Sequence, residues 1–376
     1  MNASAAAVAS GATARIFNFS PGPAVLPLPV LEKIQQEMVC MPGKGLSILE
    51  MSHRDQAFLD ILAATQASLR QLLGIPAGYK ILFLQGGSRM QFSMVPMNLL
   101  RGGGKTAEYI LTGSWGKNAL KEAVKEGPTR VVWDGKADNY NRLPRSSEYQ
   151  CRDDAAYLHF TSNETIEGVQ FLDEPPAGAA PLVCDASSDF LCRPLPIERY
   201  GLIYACAQKN AGPAGVTVVI IRDDLLARSQ DSLPGYLSYR GHADEDSLWN
   251  TPNTFGIYVV GLVARWLLDE VGGLDNMLRR NRDKANRIYE LLDESPDFYQ
   301  GHSRPESRSL MNVTFRLPSA EIEKAFLSEA ERRGLRSLKG HRSVGGIRAS
   351  IYNAMPLEGI EALRTFLCEF RDRCRK

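Results

Sequence analysis

Lys209 stands in the segment Tyr204-Ala205-Cys206-Ala207-Gln208-Lys209-Asn210-Ala211-Gly212-Pro213-Ala214-Gly215, between two apolar runs that read as buried strands. Burial in such tight quarters disfavours an ammonium and is expected to lower its pKa. An amine kept partly neutral is a Schiff-base nucleophile. A single lysine near glycine is more commonly a solvent-facing turn, so the neighbouring motifs decide between the two. Asp185 ends the run Pro181-Leu182-Val183-Cys184 and precedes Ala186-Ser187-Ser188. A carboxylate at a strand's carboxyl end suits pairing with a pyridinium nitrogen, which keeps such a ring protonated as an electron sink. Asp before Ser is equally a helix or turn cap.

Other strand ends carry further groups. Gln85-Gly86-Gly87-Ser88-Arg89-Met90-Gln91-Phe92 follows an apolar run and starts a helix, where glycines let backbone N–H groups close around a phosphate. Neither G-x-G-x-x-G with its later acid nor G-x-x-x-x-G-K-[ST] occurs, so a monophosphate fits better than NAD or ATP. Trp115, in Thr112-Gly113-Ser114-Trp115-Gly116, can stack on a flat cofactor or pack a core. Thr165, in Thr161-Ser162-Asn163-Glu164-Thr165-Ile166, offers a hydroxyl at another strand end. Two basic stretches remain: Ser52-His53-Arg54, and Lys339-Gly340-His341-Arg342-Ser343-Val344-Gly345-Gly346-Ile347-Arg348. Arg beside His in a glycine-rich loop suits bidentate capture of carboxylate or phosphate. A solvated charge cluster is the ordinary alternative. The glycines and the apolar run 347–352 argue for a partly enclosed site.

The elements that must position these groups alternate in type. Short apolar, β-branched runs at 81–84, 109–111, 131–133, 157–160, 182–184, 202–205 and 216–221 are separated by helix-period segments. That alternation predicts an α/β fold with a mostly parallel, doubly wound sheet buried on both faces, its function at the carboxyl ends of the strands. Residues 255–292 read as helix, broken at Gly272-Gly273. Strands at 310–315 and 347–352, and helices at 320–333 and from 357 onward, predict a small C-terminal α+β domain. The expected division is a disordered extension over 1–15, a large domain over 16–270 and a small domain over 271–376.

Composition narrows the function classes. Forty-four basic against 43 acidic side chains leave a formal charge of +1 over 376 residues, which gives no footprint for nucleic acid or an anionic membrane. No stretch is apolar for long enough to span a bilayer. Seven widely spaced cysteines with no Cys-x-x-Cys pair read as reduced thiols in a cytoplasmic protein. Five scattered histidines give no metal-ligand spacing, so no metal is expected. Sequons at Asn163 and Asn312 lie in apolar surroundings and are not expected to be glycosylated.

Taken together, the motifs resemble the phosphoserine aminotransferases, class V members of the fold type I enzymes that depend on pyridoxal 5′-phosphate. The resemblance covers nearly everything after Ile16 and rests on Asn18-Phe19-Ser20-Pro21-Gly22-Pro23-Ala24, Met51-Ser52-His53-Arg54, Gln85-Gly86-Gly87, Asn163-Glu164-Thr165, Ala207-Gln208-Lys209-Asn210, Asn250-Thr251-Pro252 and the string from Gly340 to Ala354. It implies that Lys209 carries the cofactor as a Schiff base, that Asp185 faces the ring nitrogen, that Trp115 stacks on the ring and that Thr165 bonds near the ring hydroxyl. Ser88, Arg89 and Gln208 would hold the phosphate, completed by Asn250 and Thr251 from the other subunit of a homodimer. Arg348 would take the substrate α-carboxylate, and His53, Arg54, His341 and Arg342 would surround its distal anion. The implied reaction is amino transfer between L-glutamate and 3-phosphohydroxypyruvate in serine biosynthesis, with room for 4-phosphohydroxy-L-threonine as a second substrate. Cys206, Pro21, Ser88 and Met90 depart from residues common in relatives, which bears on substrate placement rather than on the class of reaction. A non-catalytic cofactor carrier, with binding residues kept and turnover lost, stays open on sequence alone, while two rivals fit less well. Cysteine desulfuration needs a mobile loop cysteine, and Cys206 is too near Lys209; a dinucleotide oxidoreductase needs the phosphate fingerprint that is missing.

Overall fold

The computed structural model describes residues 15–375, so the extension expected over 1–15 falls, apart from Arg15, outside the described residues. Strand β1 (Phe17–Asn18) and helices α1 (Leu28–Glu37) and α2 (Gln56–Leu73) precede the main sheet. Helix α2 starts because the Asp55 carboxylate accepts from Ala57 N at 2.8 Å, and it stops at Gly74 in the left-handed conformation.

All seven apolar runs become strands of one sheet: β2 (Tyr79–Leu84), β3 (Ala107–Leu111), β4 (Thr129–Asp134), β5 (Tyr157–Thr161), β8 (Leu182–Asp185), β9 (Tyr200–Cys206) and β10 (Thr217–Arg222). A two-strand hairpin, β6 (Asn163–Glu164) and β7 (Val169–Gln170), follows β5. The sheet order is β2-β10-β9-β8-β5-β3-β4, and β10 alone runs antiparallel to its neighbours. A physical reason is the connection: residues 207–216 between β9 and β10 are too few for a parallel crossover, which needs roughly a dozen or more. Lys209 sits in that tight return.

Helices α3 (Gly87–Leu99) and α4 (Ser114–Ala123) follow β2 and β3; α5 (Asp223–Leu226) and α6 (Tyr239–Asp244) follow β10. The helical stretch expected over 255–292 is two helices, α7 (Thr254–Asp269) and α8 (Leu274–Asp293), parted at Gly272 and Gly273, whose φ angles are +78° and +94°. Helix α8 joins two cores. Leu274 and Met277 pack with the main sheet, whereas Ala285, Ile288, Leu291 and Leu292 belong to a second core.

That second core is built on antiparallel strands β11 (Gln300–Gly301), β12 (Asn312–Arg316) and β14 (Ile347–Ser350), with α9 (Ala320–Arg332) and α10 (Leu357–Cys374) packed on them. Strand β13 (Leu335–Arg336) pairs in parallel with β1, which brings Phe19 from the start of the chain into this core.

Candidate active site

Strands β5 and β8 end level with one another, and β9 runs two residues further, to Cys206. Thr161 stands opposite Asp185 and Asp185 opposite Tyr204, so the Asp185 carboxyl emerges at the carboxyl edge of the sheet. Above that edge lies a cavity of about 450 Å³. It is lined from the main sheet by Ser88, Arg89, Trp115, Thr165, Asp185, Cys206, Gln208 and Lys209, and from the second core's side by His341 and Arg348. Pro21 and Gly22 of the N-terminal segment close it, held in part by Ala24 N donating to Gln208 O at 2.8 Å.

Lys209 Nζ lies 5.6 Å from the centroid of the Trp115 ring. Burial pulls its pKa down, as the sequence led us to expect, but Cys206, Tyr352, Asp185 and Glu164 around it act the other way, and the net direction is up. The expectation of a lowered value is therefore corrected: the lysine is desolvated but surrounded by acidic groups. Asp185 is its complement. Burial pushes its carboxyl above the usual range, while Lys209 and hydrogen bonds from Ser187 pull it back. Ser187 N donates to Asp185 Oδ1 at 3.0 Å, so this aspartate caps its turn and faces the cavity at once.

The end of β2 turns into α3 through Gly86 and Gly87, with φ of +89° and +65°. A methyl on Gly86 would stand 2.6 Å from Met90 Cβ, so the turn must stay bare. Free N–H groups at a helix N-terminus can hold an anion, and this turn opens onto the cavity. Ser88 Oγ meets Ser187 Oγ at 2.5 Å, Cys206 N donates to Ser187 Oγ at 3.3 Å, and the Arg89 guanidinium lies 5.9 Å from the Trp115 ring centroid.

Trp115 is fixed at three points. Its indole Nε1 donates to Thr165 Oγ1 at 2.9 Å, and its backbone N and that of Gly116 donate to the Glu164 carboxylate, each at 2.9 Å. Arg348 Nη1 donates to Thr165 O at 3.2 Å, while its Nε is buried without a partner among the described residues. Burial lowers the Arg348 pKa, and burial together with Arg348 and Arg342 lowers that of His341. Tyr352 OH donates to Pro21 O at 2.8 Å, tying the second core to the N-terminal segment.

Five expected residues do not line this cavity: His53, Arg54, Asn250, Thr251 and Arg342. Arg54, Thr251 and Arg342 are exposed, and Thr251 O accepts from Gln85 Nε2 at 3.3 Å, beside the glycine turn. Sequence reasoning passed over Ser187, Glu164 and Tyr352 as site residues. Each lay within a quoted motif, but a side chain that supports another carries no signature of its own.

Residues 16–363 match the family described as aminotransferase class-V. A phosphoserine aminotransferase of Rhodopirellula baltica is 57% identical over 360 residues, covering 96% of both chains. The solved structure of phosphoserine aminotransferase from Bacillus circulans subsp. alkalophilus has a TM-score of 0.93 at 52% identity, covering 96% of this chain and 99% of that one. A phosphoserine aminotransferase from Trichomonas vaginalis, solved with its PLP bound, has a TM-score of 0.89 at 38% identity, covering 94% of this chain and 99% of the other.

Proposed function

The chain belongs to the phosphoserine aminotransferases of the class-V aminotransferase family, and on that premise we propose that its cavity holds pyridoxal 5′-phosphate at Lys209. The reaction moves an amino group between L-glutamate and 3-phosphohydroxypyruvate, giving 2-oxoglutarate and O-phospho-L-serine, a step of serine biosynthesis. One observation carries the cofactor reading. A half-buried lysine, a strand-end carboxyl, an indole and a bare glycine turn opening a helix share a single cavity of about 450 Å³. These residue types fit the group, and the turn at Gly86 leaves backbone where a side chain would collide.

When bound, the cofactor supplies an electron sink for chemistry at the substrate α-carbon. Lys209 Nζ would anchor it, and the same amine would take up and return the proton at that carbon as general base and acid. The acidic surroundings that raise the Lys209 pKa stabilise the resulting ammonium until the proton is delivered. Asp185 is the carboxyl that keeps the ring nitrogen protonated, and Thr165 and Trp115 hold the ring. Ser88, Arg89 and Gln208, with the first N–H groups of α3, hold the phosphate. Arg348, buried and with Nε free of partners among the described residues, receives the substrate α-carboxylate; His341 and Arg342 meet its distal anion.

A homodimer belongs to this reading. His53, Arg54, Asn250 and Thr251 lie off the cavity of their own chain, and exposed apolar side chains accompany them in sequence: Val39 at 85%, Leu49 at 62% and Trp249 at 45%. A second copy covering those side chains would bring the four polar residues to the neighbouring cavity. A division near residue 270 sets the cavity between the main sheet, whose β8 ends at Asp185, and the C-terminal strands, whose β14 carries Arg348. Seven free cysteines support a cytoplasmic location, and among the described residues no helix is long and apolar enough to cross a membrane.

The test is spectroscopic. L-glutamate added to purified protein should abolish the visible absorbance of the bound cofactor, and 3-phosphohydroxypyruvate should restore it. Lys209→Ala should lose turnover; wild-type turnover in that variant would sink the assignment of the lysine.

A further inference from the structure

Two buried carboxyl groups beside the cavity converge on one helix end. Glu164, in β6, accepts with Oε2 from Trp115 N and with Oε1 from Gly116 N, each at 2.9 Å. Glu167, at the hairpin turn and 6% exposed, accepts with Oε1 from Ser114 N at 2.9 Å and from Ser114 Oγ at 2.7 Å. Its Oε2 is buried with no partner among the described residues. Both groups crowd the same spot, since a methyl on Gly113 would meet Glu167 Oε2 at 2.5 Å and Glu164 Cδ at 2.6 Å. Two carboxyl groups this close in a dry interior cannot both be ionised without a large penalty, so one of them carries a proton. Both Glu164 oxygens already accept N–H groups, so Glu167 Oε2 is where the proton belongs.

We propose that Glu164 and Glu167 are positioning residues for the amino transfer: an acid pair, its one proton on Glu167 Oε2, that fixes the first turn of α4 and with it the Trp115 indole at the cavity wall. The positioning role rests on reading the cavity as the cofactor site. The same hairpin serves the substrate side, because Thr165 O accepts from Arg348 Nη1 and Glu167 O accepts from Thr314 Oγ1 at 3.1 Å. Burial raises the pKa of both acids; their mutual repulsion and Asp185 add to it at Glu164, while bonds from Ser114 and the charge of Lys117 on α4 oppose it at Glu167. Arg348 on β14, Lys209 after β9 and Tyr140 after β4 also face the pair. The sign follows. An acid raised by folding costs nothing below its ordinary pKa, and stability is lost as pH rises through the folded value and the second charge appears.

The experiment combines thermal unfolding of cofactor-free protein from about pH 6 to about pH 10 with titration by pyridoxal 5′-phosphate. It compares wild type, Glu167→Gln, Glu167→Ala and Glu164→Gln. The wild-type Tm should fall as pH rises, and Glu167→Gln should flatten that fall, because its amide stays neutral at every pH. Cofactor affinity should drop about tenfold in Glu167→Ala and recover to within about threefold of wild type in Glu167→Gln. Glu164→Gln turns an N–H donor against Trp115 N or Gly116 N and should lose about tenfold or more. An alkaline fall that persists unchanged in Glu167→Gln overturns the shared proton. Wild-type cofactor affinity in Glu164→Gln overturns the positioning role alone, whereas a wild type that takes up no cofactor overturns the reading of the cavity and the positioning role with it.

Discussion

Arg342 and Arg348 are close in sequence, yet the fold treats them differently. Arg348 stands on β14, 7% exposed and tied to Thr165 O, while Arg342 is exposed in the loop before it. Every substrate has an α-carboxylate, but the distal group is a phosphate dianion in one and a carboxylate in the other. A charge-assisted hydrogen bond contributes about 1.5–3 kcal/mol, so its loss should lower kcat/KM by roughly ten- to a hundredfold. Arg348→Leu is expected to impair both half-reactions to a similar degree, and Arg342→Leu to impair phosphohydroxypyruvate more than glutamate. Half-reaction kinetics with each substrate measure this; equal losses in Arg342→Leu would show that it does not read the phosphate. At this scale the sequence singled out Lys209 and Asp185, which line one cavity, but not the direction of the lysine's shift. Of the groups that reverse it, Cys206 stands three residues away in the same motif, whereas Tyr352, Asp185 and Glu164 come from other parts of the chain, and no local pattern announces their convergence.

At the scale of elements, regular spacing carried the sheet. Each of the seven strands is an apolar run with turn residues at its ends, and each was legible for that reason. Pairing was less so. β1 and β13 are two residues long, too short to show any period, yet they carry the start of the chain onto the second core. The turn from β2 into α3 is where element geometry meets chemistry. Gly86→Ala would force a side chain into a left-handed φ of +89° and against Met90 Cβ, at a cost of about 1–2 kcal/mol from conformation alone. We expect roughly a tenfold or greater loss of pyridoxal 5′-phosphate affinity, read by fluorescence titration, with the far-ultraviolet circular dichroism unchanged. Undiminished affinity would mean that this turn is not the phosphate site.

At the scale of the whole molecule, five polar residues that the proposed chemistry calls for lie off the cavity of their own chain: Arg342, in the loop before β14, and the four assigned to a second copy, His53, Arg54, Asn250 and Thr251. If a second copy supplies those four, two defective chains should repair one another. Lys209→Ala removes the anchoring lysine of a chain's own cavity, whereas Arg54→Leu removes a group that the chain lends to its partner. Each homodimer should be inactive or nearly so towards phosphohydroxypyruvate. In a heterodimer, the cavity of the Arg54→Leu chain keeps Lys209 and receives an intact Arg54 from the other subunit, so one of its two sites is complete. Random reassociation of equal amounts makes half the dimers mixed, so the refolded mixture should recover about a quarter of wild-type activity. Were Arg54 to serve its own chain's cavity instead, both sites of the mixed dimer would be defective and mixing would restore nothing. Refolding the two variants together and separately, then assaying each at equal protein concentration, distinguishes the arrangements.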